Sequence, residues 1–155
     1  MSAITSSLKG EDKKVVTTAL QGALVDLLEL SLLGKQAHWN VIGHHFRSLH
    51  LQLDEIVTSA RKYADTVAER EVAIGGNPDG RASTLAKTSE LPELEAGYLN
   101  DGKVVAAMTD ILGSIIRRMR ERIEATDKPD PVTQDIFIEI TQKLEEQHWM
   151  MEAQR

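Results

Sequence analysis

The sequence predicts an all-α protein, a four-helix bundle with one long crossover. Three observations lead there. Apolar residues recur at helical spacing along four segments, a short, a long and a short link separate those segments, and almost nothing reads as strand. The 155 residues are one domain's worth of chain, enough to bury a core without disulfide or metal staples.

The first helix is expected to start near Glu11 or Asp12, acids that suit the positive end of a helix dipole, and to run to about Asn40. Val16, Leu20, Ala23, Leu24, Leu27, Leu28 and Leu32 mark its apolar stripe. Leu30 and Leu33 widen that stripe, which implies a second buried surface. Gly43 breaks the chain, and a second helix runs from about His44 to Ile74, stopped by Gly75-Gly76-Asn77-Pro78. Residues 75 to about 102 form the crossover, in which Pro92-Glu93-Leu94-Glu95 is expected to open a short helix. The third helix, about 103 to 126, carries Val104, Met108, Ile111, Ile115 and Met119, with Leu112, Ile116 and Ile123 beside them. Asp127-Lys128-Pro129-Asp130-Pro131 is a tight break, and Pro131 suits the first turn of a fourth helix that uses Ile136, Ile140 and Leu144. Residues 1–10 read as a flexible N-terminal tail and residues 11–155 as a single bundle domain. Up-down-up-down topology needs no long middle connection, so the link pattern favours ferritin-like connectivity.

Composition narrows the chemistry. The chain is 41% hydrophobic and 27% charged, ordinary for a soluble globular protein. It has no cysteine, which excludes disulfides, thiolate chemistry and sulfur-held metals, and fits a cytoplasmic protein. The first residues do not pattern as a secretory signal, and Asp26 and Glu29 interrupt the most apolar region, so no membrane span is expected. A formal net charge of −6 argues against nucleic-acid binding through bulk charge.

Metal-capable side chains are densest between residues 37 and 55, which hold four of the five histidines: His38, His44, His45 and His50. On the second helix His50 and Asp54 lie one turn apart, and so do Asp65 and Glu69. The eleven residues from 54 to 65 return to nearly the same face, making one stripe of four. Imidazole with carboxylates suits iron and similar divalent metals. Asp54 and Asp65 are nevertheless roughly 16 Å apart along the axis, too far for one helix to bring both pairs to one metal. Two copies can. The midpoints of 54 and 65, and of 50 and 69, both fall between Ser59 and Ala60, so an antiparallel two-fold pairing there sets Asp54 beside a partner's Asp65 and His50 beside its Glu69. Taken singly, charged pairs at this spacing are more often a solvated helix face.

The run Lys35-Gln36-Ala37-His38-Trp39-Asn40-Val41-x-Gly43-x-x-Phe46, followed by His50 and Asp54-Glu55, resembles the signature of the Dps family, the DNA-binding proteins from starved cells. Tyr63-Ala64-Asp65-x-x-Ala68-Glu69-Arg70 and Gly75 continue it, and the similarity covers most of the chain to Gln147-His148-Trp149. The resemblance implies a ferritin-like mini-ferritin assembling into a hollow dodecamer. Its ferroxidase sites would hold two iron ions each, bound by His38, His50 and Asp54 of one subunit and Asp65 and Glu69 of the two-fold partner. It implies ferrous iron as substrate, hydrogen peroxide as the usual oxidant, and Trp39 beside the site as an electron donor, although packing also explains Trp39. Iron would enter by acidic pores, for which Asp127, Asp130 and Asp135 are the candidates; helix-start acids are an equal reading of those three. His44 and His45 fall outside the pattern, and Glu145-x-x-His148 is only one half of an intra-bundle di-iron motif.

Competing functions fare less well. Family members that bind DNA commonly use lysine-rich tails, whereas Lys9, Lys13 and Lys14 here stand against Glu11 and Asp12, and twelve acidic copies would repel phosphate overall. A scaffold without metal chemistry would not need the full ligand set. A metal-dependent hydrolase would need a further nucleophile constellation that the chain does not offer.

Overall fold

The computed structural model describes residues 4–155. Among them are five helices: α1 (Gly10–Asn40), α2 (Phe46–Ala73), α3 (Ala82–Thr88), α4 (Asp101–Thr126) and α5 (Pro131–Glu152). Two short strands, β1 (Val41–Ile42) and β2 (Leu99–Asn100), pair in parallel, Val41 opposite Leu99. This two-residue ladder ties the end of α1 to the start of α4. The long helices form two hairpins, α1 with α2 and α4 with α5, joined mainly where α1 packs on α4.

Each helix buries most of the stripe that its spacing announced; Ile116, Ile123 and Ile136 are half-buried at the margins of α4 and α5, and α1 departs at two leucines. Val16, Leu20, Ala23, Leu24 and Leu27 are in the core, but Leu30 continues them while Leu32 is 53% exposed and Leu28 only half-buried. At about 100° per residue, Leu30 falls close to Leu27 and Leu32 swings to the far side of Leu28. Of the two leucines expected to widen the stripe, Leu30 is therefore core and Leu33 half-buried, while Leu32 is turned outward within the subunit. By length and composition α1 would suffice to cross a membrane, yet 56% of its most apolar window is buried in the bundle. Gly34 lets α2 approach closely, because a Cβ there would lie 2.7 Å from Val57 Cγ2. The α1–α2 turn needs Gly43, whose φ is +126° and where a Cβ would meet the Asp101 carboxylate at 2.7 Å. Phe137, which the fourth-helix stripe did not include, is fully buried.

The crossover corrects the expected position of its short helix. Residues 92–95 are irregular, and α3 lies earlier, at Ala82–Thr88. Asp79 explains the shift: it accepts hydrogen bonds from the Arg81 backbone N–H (3.1 Å), the Arg81 guanidinium and Thr84 Oγ1 (2.8 Å), forming the turn that launches α3. These donors hold the Asp79 carboxyl well below the usual carboxylate range. Gln21 of α1 clamps the same residue, donating to its carbonyl at 2.9 Å and accepting from its N–H at 2.8 Å.

Two buried acids are used very differently. Asp26 on α1 is fully buried and receives Arg118 (2.9 Å) and Arg122 (2.7 Å) from α4, an ion triad across the hairpin junction. Glu71, near the end of α2, is 4% exposed, its Oε2 has no hydrogen-bond partner, and burial pushes its pKa up to about 7.

Candidate metal centre

Helices α1 and α2 present His38 and His50 to each other across their hairpin. The imidazoles stack with centroids 3.6 Å apart and planes 14° from parallel. His38 Nδ1 lies 2.6 Å from the carbonyl oxygen of His50, and His50 Nδ1 lies 2.8 Å from that of His38. A carbonyl oxygen can only accept, so each Nδ1 carries the proton and donates. That fixes the tautomer of both neutral rings and leaves each Nε2 lone pair available. Outer hydrogen bonds of this kind orient metal-ligating histidines generally. His38 is 8% exposed, whereas His50 is half-buried with Phe46 tilted against it at 5.0 Å.

One turn beyond His50, Asp54 is ion-paired with Lys35 of α1. The Lys35 hydrogen bond, aided by its charge, outweighs desolvation and holds the Asp54 carboxyl below its ordinary range. His38, His50 and Asp54 thus gather along one edge of the α1–α2 hairpin. Asp65 and Glu69 lie further along α2, both exposed. Asp65 and Arg61 line a shallow groove with Leu24, Leu28 and Ser31 of α1. Among the described residues no group of three or more metal-capable side chains closes into a complete site.

The residues expected at the centre of a two-fold make contacts within their own subunit. Ala60 is buried in its own subunit, and Ser59 accepts a hydrogen bond from Gln147 of α5 at 2.7 Å. Asp65 faces the groove with Leu28 and Arg61, whereas Asp54 also borders a groove with Ser59, Lys62 and Gln147. Trp39 is 66% exposed. His44 and His45 are exposed too, and the His45 N–H donates to Asp101.

At the α4–α5 junction the three acids part company. Asp130 is buried, bonded by Arg70 at 2.7 Å and by Thr133; burial pushes its pKa up, but these donors outweigh that and hold it low. It ties α2 to the start of α5 and is not a free surface acid. Asp127 and Asp135 are exposed, with Asp127 accepting from Gln134 at 3.2 Å. Glu145 pairs with Arg120, while His148 lies 3.9 Å from Glu152, so the half-motif near the C-terminus builds no site. Sequence reading missed the Lys35–Asp54 pair, although a lysine one turn before His38 was its available signal.

A long-crossover bundle with histidine and carboxylate on facing helices defines a class. Residues 17–155 match the family model described as a ferritin-like domain, and the chain belongs to that family. Within it the chain is a Dps-type mini-ferritin. It is 38% identical over 143 residues to DNA protection during starvation protein 2 of Deinococcus radiodurans, covering 92% of this chain but 59% of that relative. It is 30% identical over 149 residues to the DNA protection during starvation protein of Agrobacterium fabrum, covering 96% of this chain and 92% of the relative. The structure of Dps from Microbacterium arborescens in the high iron form superposes with a TM-score of 0.91 at 32% identity, over 98% of both chains.

Proposed function

We propose that this chain is one subunit of a hollow homo-dodecamer that binds ferrous iron at sites shared across a two-fold, oxidises it and stores the ferric product. The observation that carries this reading is the reciprocal His38–His50 pair, which leaves two neutral Nε2 lone pairs beside Asp54. Half a ligand set on each subunit calls for the other half from a neighbour. Asp65 and Glu69 of the partner subunit would complete it, with two iron ions per site. The two-fold then passes at the level of residues 59 and 60 but on the α1 side, where Leu28 and the exposed Leu32 offer apolar surface.

In this mechanism iron is substrate. His38 and His50 supply neutral nitrogen donors, and Asp54 with the partner's acids supplies the negative charge that favours the ferric product. Two ferrous ions give one electron each to hydrogen peroxide, whose O–O bond breaks and takes up two protons to yield two waters. Pairwise transfer avoids release of hydroxyl radical. Trp39, next to His38, is the candidate donor when only one electron comes from iron. Asp127 and Asp135 are the iron-entry acids of this reading, with Asp130 holding the junction. The relatives' names describe DNA protection, and removing ferrous iron and peroxide in a bacterial cytoplasm supplies protection without DNA contact.

The test is anaerobic ferrous titration of the assembled protein followed by peroxide, with His50→Ala and Asp65→Ala. Both variants should lose binding and oxidation, and co-assembly of the two should restore part of both, because some mixed interfaces regain an intact set. Normal iron oxidation by both variants would overturn the assignment.

A further inference from the structure

We infer that Lys35 is a built-in counter-ion of the metal half-site, occupying Asp54 while the site is empty and competing with the incoming cation. The inference rests on the reading of His38, His50 and Asp54 as metal ligands and adds a residue that opposes them. Lys35 stands on α1 one turn before His38, and its ammonium is bonded to Asp54 Oδ1. Its side chain is 22% exposed, so most of the stem is packed in the α1–α2 seam and the charged end is directed at this carboxylate. Asp54 has no other positively charged side chain bonded to it among the described residues.

An ammonium on a carboxylate oxygen does electrostatically what a metal ion does there: it neutralises the acid and fixes its direction. A divalent cation at Asp54 must share that oxygen with Lys35 or displace it, and a neighbouring like charge disfavours its binding. The aliphatic stem lets the ammonium swing out to solvent when a metal arrives. The empty site is thereby kept charge-balanced against the acids a partner would bring, and the cost is weaker loading. A purely structural role makes the opposite prediction. If Lys35 served only to aim Asp54 at the metal, removing it would weaken binding.

The experiment measures cobalt(II) binding to the assembled protein, by calorimetry and by the visible d–d spectrum, for wild type, Lys35→Met, Lys35→Arg and His38→Ala/His50→Ala. Lys35→Met keeps the packed stem and removes the charge. It should tighten binding about two- to fivefold, the range of an exposed ion pair, with the same spectrum, while Lys35→Arg stays within about 1.5-fold of wild type. Unchanged or weaker binding in Lys35→Met, with the histidine variant abolishing binding, overturns the role of Lys35 and leaves the metal site standing. Binding that survives in the histidine variant overturns the metal-site reading itself.

Discussion

Replacing Glu71 with glutamine removes a carboxyl that folding forces into a place where its charge is poorly solvated. Its Oε2 has no partner, and burial raises the pKa from 4.5 to about 7, opposed only by the Asn77 backbone. Between those two values the unfolded chain has already released the proton that the folded chain keeps. Stability therefore falls as pH rises through this window and levels off above about 7. At about 1.4 kcal/mol per pH unit the full loss is roughly 3 kcal/mol per subunit. Glu71→Gln should abolish this slope: it should match wild type near about pH 4 and exceed it by up to roughly 3 kcal/mol at about pH 8. Guanidinium unfolding followed by circular dichroism, at equal protein concentration and at both pH values, reads the difference. A variant less stable than wild type at pH 8, or one with an unchanged pH slope, would refute the reasoning.

Asp26→Ala leaves Arg118 and Arg122 facing each other without their shared carboxylate, and should cost about 3–5 kcal/mol in the same assay. Gly34→Ala gains helix propensity but drives a methyl into Val57, a net loss of about 1 kcal/mol. Val57→Ala in the same chain should remove that loss, so a double-mutant cycle must show favourable coupling between the two positions.

Four helices were legible because core-facing apolar residues repeat at helical spacing, and the histidine–carboxylate stripe because α2 is long and regular enough for spacing to stand in for geometry. Other features depended on contacts that periodicity does not carry. The crossover helix follows from Asp79 side-chain bonds and a clamp by Gln21, distant in sequence, rather than from Pro92. Helical spacing places Ser59 and Ala60 midway along the stripe but does not carry their contacts, which are Gln147 of α5 and the subunit's own core. Asp130 looked like any helix-start acid until α2 brought Arg70 to it. Asp26 read as an interruption of an apolar run because both of its arginines lie on another helix.

The reciprocal bonds between His38 and His50 separate two duties within each ring. Nδ1 fastens helix to helix, and Nε2 takes no part in that fastening. Each ring is thus a bolt between α1 and α2 at one nitrogen and an open end at the other. Because the bolts are reciprocal, neither ring can turn without loosening the other's hold, and the two open ends keep a fixed aim relative to one another.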